Sequence, residues 1–502
     1  VQAVPPTTPS DPATGPYPAW LETVLSQPPL ERRGWQATFA PAYIGLFLWL
    51  VFFDQFPAEV LRHGGLGWAL VGAGVAALLA FGLLFYGPTA WTFATGRPLA
   101  VVATSTFGVR GATWVPGLLL ALVQVVWLAV ATDYGTELCL RGLALLGLLS
   151  PRSLAGVSVG RTVLPSPLVL VTSLFWCYAI AMAGRYLVRV IAALMSVYPA
   201  VTATILGLSM IAALRGLPGF SPERMPVTGN ARLLTTTGIQ AVVVSLQMIL
   251  GFFATAGLVT ADLGAVSREI SDVRRGGLVT VFLACWIVAT LACLTVAGAV
   301  GVGTEVSATA RELGVDPLSY QGALIVLFGD RLAAVSFLCL GLTALAPGCY
   351  AGYLFGTRMN ELRPRVSRTR WTLIGVAIAW TLIAAGEVDR LAFVFSVIGA
   401  LLAPVAGALT ADYLMSRGRW PGARRGVNRP GVIAWGAGAV VGLLPVVAAR
   451  VSASATLSNQ PGVLYAYLVA FFLFPLLSKL GLESPADPLP ESASAAVADF
   501  PT

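Results

Sequence analysis

Charge is what this sequence has least of. Only 11 % of its 502 residues are Asp, Glu, Lys or Arg, about half the share of an ordinary soluble domain, which excludes a globule with a solvated surface. Histidine occurs once, as His63, so a His-based metal site or proton relay cannot be assembled within one chain. His63 reads as a loop residue. The six cysteines, Cys139, Cys177, Cys285, Cys293, Cys339 and Cys349, lack CxxC spacing. That argues against a disulfide framework and a zinc site and leaves them as small packing residues. With neither a nucleophile beside a base nor a metal cluster, no enzyme chemistry and no cofactor are expected. The arginines behind the net charge of +8 fall in interhelical loops without interleaved aromatics, which excludes a nucleic-acid partner.

Apolar residues are what is there: 57 % of the chain, in runs recurring from Ala37 to Leu482. Runs of about 18 residues or more match a bilayer core, where only helices or closed barrels satisfy their backbone. These runs are continuous rather than alternating, so the fold class is all-α integral membrane. Twelve transmembrane helices are predicted, over 37–60, 66–86, 114–138, 166–184, 188–214, 236–262, 277–301, 332–357, 371–386, 391–415, 431–450 and 462–482. Residues 37–482 are expected to form one membrane domain of about twelve helices. Residues 1–36, rich in Pro, Ser and Thr, and 483–502 read as disordered cytoplasmic tails, the first too polar for a signal peptide. With both termini cytoplasmic, 20 of the 31 cations lie inside, following the positive-inside rule for a protein of the cell inner (cytoplasmic) membrane.

Interruptions within the spans carry the functional signal. Span one contains "WLVFFDQFPAEV", Trp49 to Val60, and span six "GFFATAGLVTAD", Gly251 to Asp262. Pro57 is expected to break the first near Phe53, and Gly251 and Gly257 to break the second. Broken helices in corresponding positions of two repeats point to a transporter site, although glycine and proline are also common in membrane helices. In span three Gln124 and Trp127 are spaced i, i+3 and share a face. An indole and an amide side by side can stack on a flat heterocycle and read its edge; alternatively Gln124 bonds a neighbouring helix and Trp127 packs in the core. Asp133, near the outer end, reads as solvated. Asp262 and Asp412, each in Thr-Ala-Asp, read as anchors for backbone or for Arg268 and Arg417.

"TGRPLAVVATSTFGVRGATWVPGLLLALVQVVWLAV", Thr95 to Val130, resembles the loop and third helix of the nucleobase-cation symporter family, in particular its bacterial cytosine permeases. The shared features are the turn Thr106-Phe107-Gly108-Val109-Arg110-Gly111 and Gln-x-x-Trp at Gln124 and Trp127. "GFFATAGLVTAD" and "PVAGALTADYLMSRGRW", Pro404 to Trp420, agree in order. The resemblance implies leucine-transporter-like inverted five-helix repeats plus two extra helices, with alternating access around a central site. It implies cation-coupled import of a planar nucleobase-like heterocycle, cytosine, a purine or a relative. It matches Gln124 and Trp127 to the substrate-binding residues of helix three and Phe253, beside Phe252, to the sandwiching aromatic of helix six. Thr255 keeps a hydroxyl there.

Two departures stand out. On helix eight the resemblance puts Thr343 where an asparagine contacts substrate, and Ala346 and Pro347 where the sodium site uses hydroxyls; hard cations want oxygens. Asp54 follows directly on the helix-one break. An ionisable residue within a span is by default a functional-site hypothesis: Asp54 couples transport to a proton, contacts a substrate N–H, or sits at a helix end in water or beside an arginine. The coupling cation is thus a proton or sodium. The expected partners are a small heterocyclic substrate and the lipid bilayer, with the chain a monomer. The alternatives are a ligand sensor that has lost transport, or a permease of this fold for hydantoin, allantoin or thiamine-like compounds.

Overall fold

The computed structural model describes residues 19–26, 31–159, 162–186, 188–225, 238–303, 305–388, 390–451 and 460–486. Twelve long helices dominate it. They are α1 (Trp35–Phe47 and Leu50–Leu61, a bent pair), α2 (Gly65–Thr95), α3 (Val109–Leu145), α4 (Pro167–Tyr186), α5 (Val188–Ala213) and α6 (Gly238–Val259). The second half holds α7 (Ile270–Val302), α8 (Tyr320–Leu362), α9 (Arg368–Ala384), α10 (Leu391–Met415), α11 (Arg429–Arg450) and α12 (Gly462–Lys479). Among the described residues ten helices are long and apolar enough to cross a membrane, and the bent α1 makes eleven. The ninth expected span, α9, has 17 residues, at the short limit for a crossing. The face from which α1 enters is called the near face here, its opposite the far face.

The helix packing repeats with a shift of five. α6 packs on α2 as α1 packs on α7, α4 on α8 as α9 on α3, and α5 on α8 as α10 on α3; α3 and α8 pack on each other. Because five is odd, helices n and n+5 cross in opposite directions, so the repeats are inverted. The pair α2 and α7 also share a π-helical segment, Ala80–Tyr86 in one and Leu278–Leu283 in the other. Small residues bring the key crossings close. A Cβ on Gly399 of α10 would lie 2.8 Å from the Gly251 Cα of α6, and one on Gly341 of α8 would lie 3.2 Å from the Gly135 carbonyl oxygen of α3.

Two expectations are corrected by the backbone and one is extended. α1 is interrupted where expected, the helix ending at Phe53 and resuming as Phe56–Leu61 with Pro57 in its first turn, where a missing N–H forfeits no intrahelical bond. It has a second, unexpected break upstream: helix ends at Phe47, Trp49 is extended (φ −77°, ψ 126°), and the two halves meet at 57°. α6 is continuous across Gly251 and Gly257. Those glycines serve contact, since a Cβ on Gly251 would lie 2.4 Å from the Phe395 carbonyl oxygen and one on Gly257 2.6 Å from that of Leu84.

Span eight begins earlier than predicted. α8 runs 43 residues, about 65 Å of helix and twice a bilayer core, and Gly329 (φ 73°, ψ 170°) bends it near its start. Its first segment, from Tyr320, therefore folds over the far face. Of the expected tails, residues 1–18, 27–30 and 487–502 lie outside the described ones. Ala19–Leu25 is helical with Leu21 and Leu25 buried, and the Arg33 amide bonds the Val266 carbonyl. Glu483 pairs with Arg424 at 2.7 Å. Both inner ends of the expected tails are thus packed on the domain.

Candidate functional site

The break in α1 faces the middle of α3, α6 and α10, and aromatic rings from all four helices converge there. Trp127 of α3 has the Trp49 ring of α1 at 5.6 Å between centroids, the Phe252 ring of α6 edge-on at 5.5 Å, and the Phe395 ring of α10 at 5.9 Å. Phe252 also meets Phe52 at 5.0 Å and Phe395 at 5.4 Å. These distances are those of favourable tilted and edge-to-face pairs. The box holds together because α6 can approach α10 only through Gly251, which brings Phe252 and Phe395 together.

Polar groups on this box are few. The Trp127 indole N–H donates to the Thr255 hydroxyl at 3.1 Å, which leaves the Thr255 proton free for another acceptor. Gln124, one turn before Trp127 on α3, is 5 % exposed. Its amide makes no hydrogen bond among the described residues and is not one of the fully enclosed unpaired groups, so it keeps open space beside it in which a ligand could be met.

The candidate residues divide accordingly. Trp127, Phe252 and Thr255 share the box, and Gln124 lies one turn before Trp127 on α3. Phe253, the ring the resemblance selects, turns instead toward α1, stacking on Phe47 at 5.9 Å and Tyr43 at 5.5 Å. Its neighbour Phe252 takes the place against Trp127. Thr343 is buried, and its hydroxyl donates to the Leu340 carbonyl of its own helix at 2.6 Å; neither a ring nor a hydrogen bond joins it to the box among the described residues. Trp49 and Phe395 are members that the sequence pattern did not assign. Trp49 stood within the quoted helix-one stretch, whereas nothing marked Phe395.

Asp54 lies on the far side of the box, 2 % exposed. Its Oδ1 accepts from the Gln321 amide at 3.1 Å, its Oδ2 from the Gln321 side chain at 2.9 Å and from the Tyr134 hydroxyl at 3.2 Å. The Asp54 carbonyl accepts from the Tyr320 amide at 2.9 Å. Arg141 completes the network, donating to the Gln321 side-chain oxygen Oε1 at 3.0 Å and pairing with Glu137 at 3.1 Å. The carboxylate thus caps the first segment of α8 and ties it to α1 and α3.

The remaining polar candidates are structural. The Thr106 to Gly111 turn is knotted on the near face: Gly108 (φ 76°) leaves no room for a Cβ beside the Asn428 amide, and the Val109 and Arg110 amides bond the Arg424 and Gly426 carbonyls. Asp412 accepts from the Ser105 and Thr106 hydroxyls at 2.9 and 2.8 Å, and Asp262 from the Leu99 amide at 2.6 Å. Backbone and hydroxyls, rather than Arg268 and Arg417, are their partners in these bonds. Asp133 is 4 % exposed, buried where a solvated position was expected. His63 sits between α1 and α2, its pKa pushed down by burial and by neighbouring Arg62.

Two inverted repeats of five helices define a fold of the leucine-transporter type, with the rings of four helices gathered around the break in α1. No family model matches the chain. The cytosine permease of Escherichia coli (strain K12) is 24 % identical over 326 residues, 65 % of this chain and 65 % of the permease. The match therefore spans somewhat less than two thirds of that relative's own length. Among solved structures, Mhp1, a nucleobase-cation-symport-1 family transporter in a closed conformation with bromovinylhydantoin bound, superposes with a TM-score of 0.58. It is 16 % identical, with 94 % of this chain and 99 % of Mhp1 covered. An inward-facing conformation of Mhp1 gives 0.59 at 16 % identity, covering 92 % and 98 %. These likenesses show the fold: an all-α, multi-pass membrane protein built on inverted five-helix repeats.

Proposed function

We propose that this chain is a secondary transporter of the nucleobase-cation symporter family, importing a small, flat, uncharged heterocycle across the cytoplasmic membrane by alternating access. The observation that carries the reading is the aromatic box around Trp127, with the Gln124 amide, one helical turn away on α3, making no hydrogen bond among the described residues. A stacking surface and an amide's donor–acceptor pair suit a planar nitrogen ring, and among the described residues no charged side chain is in ring contact with the box, which argues against an ionic solute. Cytosine, a purine and a hydantoin are the rings to test, the first and last because the similar proteins are named for them or hold one.

The coupling ion in this proposal is the proton. Ala346 is 1 % exposed on α8, and neither it nor Pro347 offers a side-chain oxygen where the family's sodium site uses hydroxyls. Asp54 is the carboxylate at the box's edge, held by Gln321 and Tyr134 in this state and released when the far side opens. That contact pattern supports a gating and coupling role for Asp54 over direct contact with substrate.

Uptake by purified protein in proteoliposomes tests the reading, with radiolabelled cytosine, uracil, hypoxanthine and hydantoin under imposed proton and sodium gradients. Saturable accumulation of one ring under an inward proton gradient is expected. Binding without accumulation under either gradient would identify a sensor on a transporter fold. Absence of binding for every ring would refute the heterocycle reading itself.

A further inference from the structure

Trp49 is, with Phe395, one of two members of the box that the sequence did not assign to it. It stands at the interruption of α1, extended in backbone, and is 3 % exposed. Its ring packs on Trp127 at 5.6 Å and 55°, yet its indole N–H has no hydrogen-bond partner. The described chain has other unpaired buried indoles, Trp91, Trp176, Trp371 and Trp420, but Trp49 is the one in ring contact with the box. An indole N–H can only donate, and a donor stranded in an apolar interior is costly unless something meets it in another state of the molecule.

The division of polar labour on the box shows what that something is. The Trp127 N–H is already spent on Thr255, so Trp127 supplies a face and no edge contact. The Gln124 amide offers a donor and an acceptor side by side, which a ring N–H next to a carbonyl or aza nitrogen satisfies. Trp49 and the free proton of Thr255 add donors only, from α1 and α6. The side chains around the box therefore present more donors than acceptors, and the surplus calls for carbonyl oxygens on the bound ring.

Resting on the heterocycle reading above, we propose that Trp49 reads the substrate: its N–H donates to a carbonyl oxygen on the edge that faces α1, so the site selects rings carrying a carbonyl there. The chemical class is an uncharged cyclic amide, imide or ureide. An all-amino or unsubstituted ring of the same outline leaves the N–H stranded and binds more weakly.

The test pairs a substitution with an atom exchange in the ligand. Equilibrium binding of uracil and hydantoin to the full chain in nanodiscs is compared with that of their thio analogues, in which sulfur, a poorer acceptor, replaces one carbonyl oxygen. Wild-type protein should prefer the oxo over one of the thio forms by about tenfold, and W49F, which keeps a ring and loses the N–H, should reduce that preference to near unity. W49F weakening oxo and thio forms equally, or neither, would overturn the assignment while leaving the heterocycle reading intact. Thermal unfolding of W49F, with Q124L as a second variant expected to lose affinity for oxo and thio forms alike, separates misfolding from lost recognition. If neither uracil, hydantoin nor their analogues bind wild-type protein while cytosine or hypoxanthine does, this inference falls and the heterocycle reading stands; if none of these rings binds, both fall.

Discussion

At the residue scale the site is a contrast between groups that are satisfied and groups that are not. Trp127 is fixed by its bond to Thr255, so its ring is a preorganised wall; truncating it to Ala removes that wall. A loss of about 1–3 kcal/mol per stacked base predicts a roughly 5- to 150-fold weaker dissociation constant for Trp127→Ala, read by equilibrium binding; an unchanged constant would remove stacking as the main contact. Gln124 predicts the opposite separation of stability from binding. Its amide is unpaired, so Gln124→Leu should leave the melting temperature of the empty protein equal or higher, while binding weakens about tenfold or more. A fall in melting temperature would mean that the amide supports the helix packing instead. Gln124 and Trp127 were legible because a helix repeats every 3.6 residues and spacing alone puts them on one face. Trp49 and Phe395 were not, because they join the box through contacts between α1, α3 and α10, which no local spacing encodes.

At the element scale the same residue types had two meanings, and the structure chose between them. Proline can end one helix and open the next, and Pro57 does both, between Phe53 and Phe56; the bend of 57° at Leu48 and Trp49 carries no breaker at all. Glycine permits unwinding and permits contact, and Gly251 does the latter. Gly251→Leu is therefore expected to force α6 from α10 against the Phe395 carbonyl, lowering the melting temperature by an overpacking cost of about 1–3 kcal/mol and separating Phe252 from Phe395. A stable variant with full substrate affinity would show that the crossing is not what builds the box. Asp54 adds a hinge to this picture, because it joins α1 to the first segment of α8 through charge-assisted bonds. Hydrogen bonds to a charged group contribute about 1.5–3 kcal/mol. Asp54→Asn should accordingly raise hydrogen exchange of the Tyr320–Phe328 amides by about 10- to 100-fold, measured by mass spectrometry on reconstituted protein. Unaltered exchange there would show that Asp54 does not hold the far side closed.

At the scale of the whole molecule, charge scarcity decides both architecture and orientation. Because so few residues are charged, those that are must sit in loops, and their asymmetry becomes the topological signal. The helix count was readable for that reason, while α9 fell short and α8 overran, since hydropathy cannot tell a crossing segment from one folded on the far face. The inverted repeat was suggested by the paired interruptions of spans one and six and implied by the resemblance; it becomes physical in the way α6 on α2 mirrors α1 on α7. The near face, rich in arginine, is expected to face the cytoplasm. Arg365, exposed in the loop between α8 and α9, and Arg152, exposed in that between α3 and α4, lie on opposite sides in this arrangement. The native cysteines Cys177, Cys285, Cys293 and Cys349 are buried and should give little background. In intact cells a membrane-impermeant maleimide should label Arg152→Cys at least tenfold faster than Arg365→Cys, and permeabilisation should equalise the two. Faster labelling of Arg365→Cys would invert the topology, and with it the direction in which the opening of Asp54 admits substrate.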